Sequence, residues 1–283
     1  MAETLAPAAA KSPLQVIEEP SGSTPSQRVK KPLAERKLVV LLGQILFVAV
    51  TLGVWQLLVN QEIIEERFFG SPAGTYEQFI EMLTEGDLIE QTVATLKAVL
   101  VSLAIGVPAG VLLGLVLALS PFLDRVTSPF IVPLNSLPRI AFAPLFLLWF
   151  GLTIWAKVAL AVSIVVFIML LNTRAGVRNV EPDLLSVSRL LGLRGWTVMR
   201  KVALPFAVPS VMAGFRLCVT YGLLGVVGSE MIAARDGLGL EIVSNSNALN
   251  TNGVFAVLVT LALVAVVLGT LTEWLERRLL RWQ

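Results

Sequence analysis

The chain has 283 residues, of which 55% are hydrophobic and 15% charged, with a formal net charge of +2 and a mean hydropathy of +0.79. A soluble domain carries roughly 25% charged residues, so this composition is that of a protein made for lipid. There is no histidine and a single cysteine, Cys218, which excludes disulfides within the chain, histidine or multi-cysteine metal sites and any histidine-dependent catalytic triad.

Residues 1–37 are rich in Ala, Pro, Ser and charge and show no apolar period, which is the pattern of a disordered cytoplasmic tail. The first apolar run starts only at Leu38 and leads into Asn60-Gln61-Glu62, so it reads as a retained span rather than a cleaved signal. A helix needs about 20 apolar residues to cross a bilayer core. On that measure the spans are Leu38–Val59, Ala98–Leu119, Thr127–Phe150, Trp155–Leu171, Phe206–Ile232 and Val254–Leu275. The second stretch begins near Leu88, too long for one crossing, which predicts first turns at the surface and Lys97 near the interface. Cys218 sits inside the fifth run and reads as a small buried hydrophobe.

The basic residues set the orientation. Arg28, Lys30, Lys31, Arg36 and Lys37 precede the first span, and Arg125 lies between the second and third. Arg174, Arg178, Arg189, Arg194, Arg200 and Lys201 fall between the fourth and fifth, and Arg277, Arg278 and Arg281 follow the last. The alternate loops hold mainly Arg67, Lys157 and Arg235, and the first of them is acidic. The positive-inside rule therefore predicts six spans with both termini in the cytoplasm. No internal repeat stands out.

Between the fourth and fifth spans lies a polar insert, residues 181–205. Pro182 suits a first helical position and Asp183 the positive end of the helix dipole. Leu184, Val187 and Leu191 then share one face. Gly192 permits a reversal, and a second short helix follows with Trp196, Met199 and Val202 on one side, ended by Pro205. Two readings of this helix–turn–helix stay open: an interfacial helix held by anionic lipid, and a docking element for a cytoplasmic motor subunit. A nucleic-acid role is disfavoured by the membrane anchors at both ends.

Gly192, nine residues, then Val202-Ala203-Leu204-Pro205 resembles the "EAA" loop of type I ABC importer permeases, a Gly followed nine residues later by Ile-x-Leu-Pro. More narrowly the chain resembles the nitrate/sulfonate/taurine branch of binding-protein-dependent permeases. Phe69-Gly70-Ser71-Pro72, Leu137-Pro138-Arg139-Ile140-Ala141, Trp149-Phe150-Gly151, Ala213-Gly214-Phe215-Arg216, Gly228-Ser229-Glu230-Met231 and Gly237-Leu238-Gly239 carry that likeness, which covers residues 38–283. The Glu-Ala-Ala that names the loop is replaced by Ser186-Val187-Ser188.

The resemblance implies an all-α permease of six transmembrane helices in a bacterial inner membrane, with a coupling loop at residues 181–205. It implies a second permease copy, two cytoplasmic ATPase subunits that bind the ATP and magnesium, and an extracytoplasmic solute-binding protein. Asp183, Leu184, Ser188, Arg189, Gly192, Leu204 and Pro205 are then the ATPase-coupling residues. No Gly-x-x-x-x-Gly-Lys-Ser/Thr occurs in the chain, so the expectation is a transport subunit without catalysis or cofactor of its own. The rival readings are a self-sufficient secondary transporter or channel, and a membrane scaffold.

Polar residues inside the apolar runs are the pathway candidates. The third run holds Pro129, Pro133, Pro138 and Pro144 with Asn135, Ser136 and Arg139 among them. Internal prolines and a mid-membrane charge are tolerated only against protein or water. Arg139 is thus a pathway residue or half of a structural pair with a carboxylate or a helix C-terminus. Arg216 reads as a member of the same cavity or a tie between helix ends. Glu230 reads as a partner for Arg235 or, through the resemblance, as part of an outer gate.

Overall fold

The computed structural model describes residues 37–193 and 195–279, without the side chains of Lys37, Leu38, Leu185 and Arg189. Residues 1–36 of the expected tail (residues 1–37), Arg194 and Arg281 lie outside the described residues. Among the described residues all regular structure is helical. The chain divides into a unit ending at Val50 and a second from Thr51 onward. Of the first unit, residues 37–50 are described, and they form the first turns of α1 (Lys37–Asn60), with every described side chain exposed.

In the second unit α1 ends at Asn60 and is followed by α2 (Glu66–Phe69) and α3 (Pro72–Thr84). Ser71 caps α3 by accepting from the Gly74 N–H at 2.9 Å, and Pro72 fills the first turn, where no donor is lost. Next comes α4 (Leu88–Leu119), 32 residues and about 48 Å long against a hydrocarbon core of about 30 Å. The excess length agrees with first turns that lie beyond the apolar layer; the helix is unbroken, and there Leu88 is buried against Leu238, Ile242 and Val257.

The third apolar run is not one straight helix. α5 (Pro121–Ser136) stops, Leu137 and Pro138 are extended, Arg139–Phe142 form a 3-10 turn, and α6 (Ala143–Phe150) leaves at 85° to α5. The cause is local, because the ring of Pro138 disfavours helical backbone at Leu137. α7 (Ile154–Arg178) follows, then α8 (Pro182–Leu190), α9 (Trp196–Val198) and a π turn, Met199–Ala203. α10 (Leu204–Ile232), α11 (Leu238–Asn247) and α12 (Thr251–Leu279) complete the order. Among the described residues five helices are long and apolar enough to span, or six if the bent pair counts as one. Pro205 does not end a separate helix, as the sequence suggested. The backbone stays helical from Trp196 to Ile232, and Pro205 lies in the first turn of α10 behind the π turn. The wider turn moves aside the carbonyl that a proline ring would otherwise strike.

The core is α4, α7 and α10 packed side by side, with Val99, Leu103, Val165, Met169, Cys218 and Val226 at its centre. Gly106, Gly110 and Gly114, spaced by four, let α4 approach α7 closely. A Cβ added at these positions would lie 2.5–2.7 Å from Val165, Met169 and the Leu170 carbonyl oxygen. Cys218 is fully buried in this core, as its setting in the sequence suggested.

Candidate functional site: the inter-helix insert and the charged clamps

The insert is built from its ends inward. Pro182 opens α8 and Asp183 stands exposed in its first turn. The helix closes on Gly192, whose φ of +81° is the left-handed region that glycine enters at least cost. There the Leu193 N–H donates to the Ser188 carbonyl at 3.0 Å, a six-to-one closure that consumes one of the helix's orphan acceptors. A second positive φ, +53° at Gly195, turns the chain into α9; the sequence reading did not anticipate this second reversal.

The two faces of the insert differ. Ser188 is 4% exposed, and Met199 and Val202 pack on Val177, Val180, Ala203 and Ala207. Leu184 and Val187 are exposed, Leu190 is 87% and Leu191 74% exposed, and Trp196 also points outward rather than joining Met199. Space is open around Gly192, with no atom within 4 Å of where a Cβ would stand. Leu204 and Pro205 are half-buried at the start of α10. The side chain of Arg189 lies outside the description.

At the bend of the third run Arg139 finds acceptors, not a carboxylate. Its guanidinium donates to the Leu134 carbonyl at 3.2 Å, to Asn135 Oδ1 at 3.4 Å and to the Ser163 carbonyl of α7, and stacks 4.1 Å over the Phe167 ring. It therefore closes the C-terminus of α5 and fastens the break to α7. Ser136 turns away and donates to the Val132 carbonyl in its own helix at 3.0 Å. Arg216 does not join Arg139; it pairs with Glu276 of α12, beside Glu273 and Arg277.

Glu230 is 1% exposed, and its partner is Lys157, not Arg235. Lys157 Nζ donates to Glu230 at 3.1 Å, to the Asp236 carbonyl at 2.7 Å and to the Asp236 carboxylate. Thr95 of α4 and the Gly239 N–H complete the shell of Glu230 at 2.9–3.0 Å. Four elements thus meet on one buried carboxylate. Gly237 is held against it, since a Cβ there would lie 2.1 Å from Glu230 Oε1. Lys157 had been counted with the loop charges; its register at the start of an apolar helix was the signal that it is drawn inside.

A second clamp was missed. Asp124 of α5 is buried between Arg174 and Arg178 of α7, each at 2.6 Å, and Arg174 also donates to Ser128 at 2.8 Å. The sequence signal is one aspartate at a helix start opposite two arginines spaced i,i+4. The clamp sits one turn before the insert leaves α7.

Long apolar helices, a broken helix pair and a helical insert between two spans are the architecture of a polytopic membrane protein. The chain belongs to the family described as binding-protein-dependent transport system inner membrane component, matched over residues 106–281. It is 27% identical over 268 residues to the putative aliphatic sulfonates transport permease protein SsuC of Bacillus subtilis, covering 94% of this chain and 97% of the relative. It is 32% identical to the riboflavin transport system permease protein RibX of Chloroflexus aurantiacus, over 75% of this chain and 80% of that one. In fold it matches a crystal structure of an amino acid ABC transporter with a TM-score of 0.60, at 21% identity, over 71% of this chain and 98% of that chain.

Proposed function

We propose that this permease is one half of the pore of an ATP-driven importer working by alternating access, and that residues 181–205 are where the drive enters. The observation that carries the reading is the apolar ridge of Leu184, Val187, Leu190, Leu191 and Trp196, held out from the protein by two glycine turns between two spans. Such a ridge costs free energy in water, and a groove on a partner removes that cost. Two ATPase subunits supply the grooves and hold the ATP and magnesium, and this chain performs no catalysis. Asp183, Leu184, Ser188, Arg189 and Gly192 form the contact, and Leu204 and Pro205 pass its motion into α10. Both termini and the insert face the cytoplasm, as the distribution of basic residues requires. Residues 1–37 are a cytoplasmic tail attached to a single permease domain.

The pore is completed by a second copy related by two-fold symmetry, which sets two inserts side by side. The cargo is a small anion such as a sulfonate, nitrate or aromatic carboxylate, delivered by an extracytoplasmic binding protein; the likeness to the sulfonate permease supports this choice. Arg139, Arg216 and Glu230 act as clamps that keep the broken span and the helix ends in register, with Asn135 beside Arg139. Co-purification with differently tagged copies tests the assembly. Two permease tags with ATPase in equal number are expected, and a monomer or a lone permease without ATPase would refute it.

A further inference from the structure

A cleft of about 450 Å³ lies at the root of the insert, walled by Val111 and Leu115 of α4, Leu204, Ala207, Val208 and Val211 of α10, and Thr173 of α7. Its lining combines a cation with an apolar wall. Arg200, in the π turn, belongs to its lining and is exposed. The Thr173 hydroxyl is fully buried and has no hydrogen-bond partner. The remaining wall is hydrocarbon. Thr173 stands five residues before the end of α7, about 8 Å in from the helix end, and Val111 stands eight before the end of α4, about 12 Å in. The cleft therefore runs from the helix ends into the apolar layer.

Several other cations near these helix ends are committed: Arg174 and Arg178 to Asp124, Arg216 to Glu276, Arg277 to Glu273. The ion pairs among the described residues include neither Arg200 nor the adjacent Lys201. An exposed cation on the lining of an apolar slot is the complement of a phosphate and an acyl chain.

We propose that this cleft is a binding site for an anionic phospholipid of the leaflet on the insert's side. The phosphate pairs with Arg200, next to Lys201 in the chain, and one acyl chain fills the slot between α4 and α10. The lipid then braces the π turn that joins the insert to α10. The site needs only a bilayer and does not depend on an ATPase or a cargo, so it stands or falls apart from the transport reading.

The experiment is native mass spectrometry of the purified protein released from nanodiscs of phosphatidylcholine with or without phosphatidylglycerol. Retained phosphatidylglycerol is expected in preference to phosphatidylcholine. Arg200→Gln should weaken retention about five-fold, from the roughly one-charge contribution of a basic residue at an anionic surface. Val208→Trp, which fills the slot, should abolish it with Arg200 intact. Equal retention of both lipids, or retention unchanged in both variants, overturns the proposal. So does a disulfide between two copies bearing Val208→Cys, which would show the cleft to be a subunit contact.

Discussion

The two ends of α10 solve opposite problems. At its far end a buried carboxylate, Glu230, is surrounded by Lys157, Thr95 and the Gly239 amide, and every polar group has a partner. At its near end the insert leaves Leu190, Leu191 and Trp196 exposed, and two glycines hold them there. The first region is complete within one chain. The second presents an exposed apolar ridge, which the proposed function covers with a partner. Disruption of the first should therefore appear as lost stability, and disruption of the second as lost partnership in a protein that still folds.

The largest expected effect is at Lys157. Lys157→Met leaves Glu230 buried without its cation, a loss of about 3–5 kcal/mol, read as thermal unfolding in detergent. Pairing it with Glu230→Gln should recover much of that loss, because the two changes share one interaction. Singles that unfold like the parent would remove the distinction between the two ends.

Arg139 comes next. Arg139→Ala removes donors to three acceptors and uncaps α5, at about 2 kcal/mol on the scale of charged hydrogen bonds. Arg139→Lys should recover only part of it, since a lysine lacks the planar fork. Uptake should fall in step with stability. Uptake abolished in a protein of unchanged stability would instead put Arg139 on the cargo's path.

The smallest effect is at the junction of α2 and α3 with α12. Hydrogen bonds from Ser71 and Asn252 hold the Glu66 carboxyl below the usual carboxylate range. A lowered folded-state value means stability that is present above the ordinary range and lost as the pH falls through the folded value. Glu241 is pushed the other way by burial and by Asp87, so the comparison is parent against Glu66→Gln. The gap between their unfolding temperatures should narrow on acidification, and a gap independent of pH would remove Glu66 from the account.

The spans were legible because apolar runs of about twenty residues have few other uses, and the insert's helix was legible from Pro182 and Gly192. That the third run is broken was legible from its prolines, but the place and sharpness of the bend at Leu137-Pro138 were not, because hydropathy alone is continuous through residues 127–150. The charge partners were the least legible. Glu230 and Lys157 lie 73 residues apart, and nothing in their local sequence says which helix ends meet, so Arg235 was the nearer and wrong choice. Asp124 was invisible for the same reason. Gly106, Gly110 and Gly114 of α4 went unread, because a spacing of four acquires its use only from the helix that lies opposite.

The claim that the insert is an ATPase-docking element is tested most directly by substitution at its turn and ridge. Gly192→Trp and Leu190→Glu/Leu191→Glu should each leave thermal unfolding of the isolated permease within about 1–2 kcal/mol of the parent, since no neighbour crowds Gly192 and both leucines are exposed. Both should lose the co-purifying ATPase and solute uptake. Full ATPase recovery and parent-level uptake in both variants would contradict the account.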